Sequence, residues 1–304
     1  MDKYRIDDFL NMTWLRPENV VWDARASSLI GDELVHTNQN ILDIGIGNGY
    51  FSFMTLGGKF KKEYDWYYNV NTEGFLDNED IYNTLKIKNI KDFIEKPAIK
   101  QVSLAIDHKD SLLEQVKQLN FVDRTLVHDA NKNIDFSDMN IDIVYSNILY
   151  WLDKPIEVLK NIDNQLKKGS KVILVFPNEN FYKFARSYNK ESKIWTLLNR
   201  GRADSIMWRM NIGDFEKKLQ QETSFKIEKF QIYLSEFNIK CWDIGFRPFS
   251  SPLIKMANSL NPSFRLEIKD EWVETAKPFV NHIMEDELLN GDKNGVFNFV
   301  VLRK

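Results

Sequence analysis

Ile41-Leu42-Asp43-Ile44-Gly45-Ile46-Gly47-Asn48-Gly49-Tyr50-Phe51 is the stretch on which the fold turns. A short apolar run, strand-like, meets three glycines at every second position and then an apolar helix start. Glycine there permits positive φ and lets a ligand touch backbone that a Cβ would block. The helix that follows offers free N–H groups and a positive dipole end to an anionic group. A dinucleotide fingerprint would read G-x-G-x-x-G, but position 50 is Tyr, so the third glycine comes one residue early. No G-K-[ST] follows, which removes a P-loop.

Outward from this loop, short apolar runs alternate with longer helix-like stretches. The runs are Asn40 to Ile44, Val102 to Ile106, Thr125 to His128, Ile141 to Ser146 and Lys171 to Phe176. Val296 to Leu302 is another strand candidate, and Lys226 to Phe237 a weaker one. Continuous β-rich runs bounded by Gly, Asp, Ser or Pro are what doubly covered parallel strands look like. Their spacing predicts right-handed βαβ units with helices on both faces. The helix before the fifth run reads most clearly. Asp153 is placed to cap it, Pro155 sits in its first turn, and Ile156, Leu159, Ile162 and Leu166 share one face before Gly169 stops it.

Two stretches exceed the unit. Gly49 to Asp107 is far longer than a simple crossover, since a whole βαβ unit takes about 30 residues. The excess, 57–100, is rich in Tyr, Trp and Phe and reads as an insertion over the sheet edge, suited to sugar stacking or to extra core. Between Phe237 and Val296 lie Pro248, Pro252, Pro262 and Pro278, which predicts several short helices rather than one long one. The expected layout is a single α/β domain, 1–304, built on a Rossmann-like doubly wound sheet of about seven mostly parallel strands. It has a helical segment at 1–37, the aromatic insertion, and a C-terminal helical cap with substrate-cap segments at 178–225 and 238–295.

Composition narrows the class. The 304 residues carry a net charge of -3, so no global field draws nucleic acid or an anionic membrane. One cysteine, Cys241, excludes an internal disulfide framework and a multi-cysteine zinc site, and no metal is expected. The first residues show no apolar signal region and no run is long enough to span a membrane, so a cytoplasmic enzyme is expected.

With Asp43 in front, the loop reads D-x-G-x-G-x-G and resembles motif I of the class I S-adenosylmethionine-dependent methyltransferases. Later stretches fall in that family's order. Asp107 ends the second strand, where the family places an acid that hydrogen-bonds both ribose hydroxyls. Asp129, in Val127-His128-Asp129-Ala130, ends the third, where its acid meets the adenine. Asp142 to Leu152 is similar to the fourth strand and its loop, and Gln165 to Val172 to the approach to the fifth. The resemblance covers roughly residues 38–177 and departs from the family in the long insertion before Asp107. It implies S-adenosyl-L-methionine as cofactor and S-adenosyl-L-homocysteine as product. The cofactor residues it implies are Asp43, Gly45, Gly47, Gly49, Asp107, His108, Asp129, Ala130 and Ser146.

Methyl transfer needs the acceptor held in line, and then a base for its proton. His108 and His128 adjoin the cofactor acids, and His36 precedes the first strand. His282, in the cap, is the best-placed histidine base, with Tyr150 the other catalytic candidate. Ser146-Asn147-Ile148-Leu149-Tyr150 has the spacing of the Asn-Pro-Pro-Tyr motif of amino-methylating members but lacks both prolines. Asn147, Tyr150 and Trp151 are expected to wall the acceptor cleft. Lys183, Arg186, Lys190, Lys193, Arg200, Arg202 and Arg209 form a basic run, of which Arg200, Arg202 and Arg209 would take an anionic acceptor unless the run is a solvated face. The expected activity is methylation of oxygen or nitrogen on a small or glycan-linked, possibly anionic, acceptor, with an overall layout similar to enzymes of bacterial surface-polysaccharide pathways. An RNA or protein methyltransferase and a non-catalytic cofactor-binding homologue are the alternatives.

Overall fold

The computed structural model describes residues 2–35, 38–68, 70, 89–188 and 209–304. Its strands are β1 (Ile41–Ile44), β2 (Lys59–Phe60), β3 (Ile94–Lys96), β4 (Val102–Asp107), β5 (Val122–Val127), β6 (Ile143–Ser146), β7 (Lys171–Pro177), β8 (Lys226–Tyr233) and β9 (Phe297–Arg303). Seven form one sheet in the order β5-β4-β1-β6-β7-β9-β8, and β2 and β3 pair separately. From β5 to β7 the neighbours are parallel. β9 is antiparallel to β7 and to β8, so β8 runs with the parallel set. This is the doubly wound, Rossmann-like sheet that the apolar runs imply. Strand order reverses at β1, which opens a crevice at its carboxyl end, the usual ligand position in such sheets.

The helices are α1 (Ile6–Met12), α2 (Val20–Leu34), α3 (Tyr50–Thr55), α4 (Asp110–Leu119), α5 (Pro155–Gln165), α6 (Asn180–Phe184), α7 (Ile212–Glu222), α8 (Glu236–Ile244), α9 (Ser250–Asn258) and α10 (Pro262–Asn294). Alternating strand residues feed two cores. Ile41, Tyr145, Ile173 and Val301 pack under α1, α2 and α10. Leu42, Val144, Val172 and Leu302 pack under α5 and α7. Full burial on both faces is why β1 and β6 read as unbroken apolar runs.

Four boundaries differ from the sequence reading. β5 starts at Val122, not Thr125, because an edge strand can carry exposed Asp123 and Arg124, which interrupt an apolar run. The N-cap of α5 is Lys154, with no side-chain cap; the Asp153 backbone N–H instead donates to Asn131 Oδ1 at 2.8 Å. β8 stops at Tyr233, because the Ser235 hydroxyl accepts from the Asn238 N–H at 3.1 Å and starts α8. The largest difference is α10, one helix of 33 residues where prolines predicted several short ones. Pro248, Pro252 and Pro262 all lie in first turns, where the missing N–H costs nothing. Pro278 is interior, but both it and Glu274, one turn before it, are exposed residues on the helix.

Asn261 caps α10 through Oδ1, which accepts from the Phe264 N–H at 3.0 Å. Asn261→Ala should therefore lower stability by about 1 kcal/mol, the usual value of such a cap, measured by urea unfolding.

In the described part of 57–100, Phe60, Tyr64 and Tyr67 turn inward, whereas Tyr68 is 42% exposed. Phe60 and Tyr64 stack at 4.3 Å between centroids, are 5% and 1% exposed, and meet Tyr50 and Phe53 of α3. These two rings extend the core and offer no stacking surface to a sugar. Arg265 of α10 ties the segment down through Asp65 at 2.7 Å, and Lys269 Nζ donates to the Lys62 and Tyr64 carbonyls.

Candidate functional site

The glycine loop leaves β1 at the strand-order reversal. Gly45, Gly47 and Gly49 all have positive φ, at 83°, 60° and 81°. A Cβ on Gly45 would lie 2.4 Å from the Ile148 side chain, so this glycine lets the loop after β6 close against it. A Cβ on Gly47 would meet nothing within 4 Å. Gly47 is therefore glycine for its left-handed backbone, and it borders open space at the loop tip.

The loop is fastened to the end of β4. The Gly45 and Ile46 N–H groups both donate to the Ile106 carbonyl, at 2.8 and 3.1 Å. Gly47 N–H donates to Asp107 Oδ2 and Lys109 N–H to Oδ1, each at 2.9 Å. Asp107 is thus 7% exposed and fixed against the loop, with lone pairs left on both oxygens. The exposed His108 ring stands beside it, Nδ1 at 3.4 Å from Asp107 Oδ1. One strand over, the His128 N–H donates to the Asp107 carbonyl at 2.9 Å, which sets Asp129 next to this corner. The Asn131 N–H, bonded to Asp129 Oδ1 at 3.0 Å, is the chief reason that this carboxyl sits below the usual range. Ala130 is buried behind it.

Asp43 behaves differently. It is 1% exposed; Oδ2 accepts from the Ser52 hydroxyl at 2.5 Å and Oδ1 is buried without a partner. Burial pushes its carboxyl up to about 7, the Ser52 hydrogen bond working against it and the Asp107 charge adding to it. A raised carboxylate means that the folded state holds the proton more tightly than the unfolded chain does. Asp43 therefore costs stability progressively as pH rises from the ordinary aspartate value, 3.8, towards about 7. Asp43→Asn should remove that decline, seen as a flatter profile of unfolding free energy between about pH 4 and about pH 7.

After β6, Ser146 Oγ accepts from the Ile148 N–H at 3.3 Å, and Leu149–Trp151 form a 3-10 turn. Asn147 and Tyr150 are half-buried there. The Tyr150 ring meets Phe297 edge-on at 5.7 Å, while Trp151 is 48% exposed. The structure therefore brings Asp43, Gly45, Gly47, Gly49, Asp107, His108, Asp129 and the Ser146–Trp151 loop to one sheet edge.

Other candidates stand apart. His282 lies on the outer face of α10 with its side chain 71% exposed, Nδ1 at 4.0 Å from Glu285 and its ring against Phe237. It makes no contact with the glycine loop, so a solvated helix position replaces the expected base. The Arg209 guanidinium stacks on Tyr182 at 3.7 Å. Arg200, Arg202, Lys190, Lys193 and His36 fall outside the described residues. Among the described residues no His, Cys, Asp and Glu cluster could hold a metal, and no helix is long and apolar enough to cross a membrane. A cavity of about 540 Å³ sits in the cap between Pro17, Phe246, Trp272 and Phe279, lined by none of the sheet-edge residues.

Sequence reasoning missed a group beside Asp43. Asp23 of α2, Tyr145 of β6 and Tyr233 of β8 act electrostatically on one another, and the hydroxyls of Tyr145 and Tyr233 are buried without partners. The one local signal was an acid inside an apolar run, Val20-Val21-Trp22-Asp23-Ala24.

No family model and no curated protein matches this sequence. Among solved structures it is similar to an SAM-dependent methyltransferase from Thiobacillus denitrificans in complex with S-adenosyl-L-homocysteine: 11% identity, 91% of this chain and 89% of that one covered, TM-score 0.45. An S-adenosylmethionine-dependent methyltransferase from Mesorhizobium loti gives 12% identity, coverages of 92% and 98%, and a TM-score of 0.47. The [4+2]-cyclase SpnF gives 11%, 92% and 80%, and 0.44. These overlays are loose, and the sheet order and site geometry of this chain carry the functional reading by themselves.

Proposed function

We propose that this chain is an S-adenosylmethionine-dependent methyltransferase that acts on oxygen or nitrogen of a small-molecule acceptor. The observation that carries the reading is the Gly47–Asp107 corner. A glycine with open space at its Cβ position is bonded through its N–H to a nearly buried carboxylate, at the strand-order reversal of a doubly wound sheet. The donor set suits an adenosine-bearing sulfonium. Asp107 would accept from the ribose diol, Asp129 would lie toward the adenine, and the open backbone at Gly47 would admit the cofactor's chain. Asp43, two residues before Gly45 and with its Oδ1 unpartnered, would add a carboxyl next to the loop. When bound, the cofactor supplies an electrophilic methyl group. The protein's own part is to hold the acceptor in line, exclude water and take a proton.

The Ser146–Trp151 loop faces the same edge and would position the acceptor. For a glycan-linked acceptor, as in surface-polysaccharide assembly, half-exposed Trp151 beside Tyr150 is the stacking surface offered. In this reading the chain is one catalytic domain, with an N-terminal helical segment at 1–37 and substrate-cap segments at 178–225 and 238–295. Incubating the protein and S-adenosylmethionine with a metabolite extract tests the activity. The expected outcome is a compound heavier by one methyl group in place of hydrogen, together with S-adenosylhomocysteine. S-adenosylhomocysteine without any methylated compound, or neither, would contradict it.

A further inference from the structure

The cap holds open volume that the glycine-loop corner does not use, and what it binds is independent of the methyltransferase reading. The cavity there, of about 540 Å³, has the size of an ordinary small-molecule site. Ile268, Trp272 and Phe279 line it from α10 at spacings of four and seven, which puts them on one helix face. Pro17, from the turn before α2, and Phe246, just past α8, complete the apolar lining.

The walls are fixed by their own contacts. The Trp272 ring meets Phe246 at 5.8 Å and Trp14 edge-on at 6.2 Å. Trp14 is 1% exposed, with the Arg265 guanidinium over its ring at 5.7 Å. Pro17 is buried at the start of a 3-10 turn, in which Arg16 bonds Glu18 at 2.5 Å. Ile268, Trp272 and Phe246 are nonetheless only half-buried, and Phe279 is 43% exposed. Apolar surface left open on a concave, preformed wall favours an apolar ligand.

Charge narrows the class. Glu271 is the one charged side chain that lines the cavity, and it is exposed, at the mouth. Glu267 and Glu274, about one turn to either side on α10, are exposed acids as well. The cations of this stretch are held elsewhere. Arg265 bonds Asp65 at 2.7 Å, Lys269 donates to the Lys62 and Tyr64 carbonyls, and Lys277 bonds Asp7 at 2.8 Å. Lys62 lies 3.2 Å from Asp270, and Arg247, which follows Phe246, does not line the cavity. An ammonium at the mouth would therefore be attracted, whereas a carboxylate would meet like charge.

We propose that this cavity is a binding site, separate from the glycine-loop corner, for a hydrophobic amine. The apolar body lies against Phe246, Trp272 and Phe279, and the ammonium meets the Glu271 carboxylate at the mouth.

Calorimetric titration of n-octylamine, n-octanol and octanoate at neutral pH tests this. All three present the same apolar chain, so the difference between them reads the charge. The amine should bind saturably, one per chain, and about threefold to fivefold tighter than the alcohol, the range of an exposed ion pair, with octanoate weakest. Glu271→Gln should bring amine and alcohol to within about twofold while leaving the alcohol's affinity as it was. Thr275→Trp, at an exposed lining position where a large side chain leaves the fold intact, should weaken amine and alcohol alike by at least about tenfold. No saturable amine binding, octanol or octanoate binding as tightly as the amine, an amine preference that survives Glu271→Gln, or binding that ignores Thr275→Trp would overturn the proposal. Self-association of the chain that excludes the amine, seen by sedimentation, would give the groove to a second copy and overturn it too.

Discussion

Gly47→Val should abolish binding of S-adenosylhomocysteine, a loss of at least about a hundredfold, while the protein stays folded. Two effects act together. The backbone at Gly47 has φ of 60°, where a β-branched residue is strained by about 1–3 kcal/mol. That strain is tolerable in a domain of this size and leaves the two cores untouched. The valine methyls would also fill the open space beside the backbone, where a Cβ meets no protein atom within 4 Å and the ligand is expected to lie. Thermal unfolding and calorimetry separate the two effects. A folded variant that binds as wild type does would mean that the loop is not the cofactor site. Gly47→Ala, which adds only the Cβ, should lose less.

Asp107→Ala should weaken the same binding by about 1.5–3 kcal/mol, the usual range for hydrogen bonds to a charged group. That is about tenfold to 150-fold in dissociation constant. The variant also strips the Gly47 and Lys109 N–H groups of their acceptor, so the loop loosens as the ligand contact is lost. Asp107→Asn divides these contributions, because an amide oxygen still accepts one of the two backbone bonds. Unchanged affinity in both variants would remove Asp107 from the site.

Much of this corner was legible in the residues. Three alternate glycines after Asp43, and acids at the ends of the next two strands, are local patterns. Parallel pairing is also local in effect, because strands buried on both faces leave an apolar trace, as β1 and β6 do. The edge strand β5 left a poorer trace, since Asp123 and Arg124 can face water. Prolines misled for a definite reason. Their position within a turn decides their cost, and only Pro278 of the four lies in a helix interior, on an exposed face. The buried tyrosine hydroxyls near Asp43 were illegible because their surroundings are assembled by tertiary contact. Asp23, Tyr145, Tyr233 and Glu287 lie far apart in sequence, and nothing local marks Tyr145 or Tyr233 as having an unpartnered hydroxyl. The exposed position of His282 was not legible because a histidine in a helix carries no sign of which face it occupies, and here that face is solvent.

The measurement that bears most directly on the central claim is a calorimetric titration of S-adenosylhomocysteine into the wild-type chain, repeated with Gly47→Val. Saturable binding of one ligand per chain that vanishes in the variant is the predicted result. No binding to the wild-type chain, or equal binding by both, would contradict a cofactor site at the Gly47–Asp107 corner.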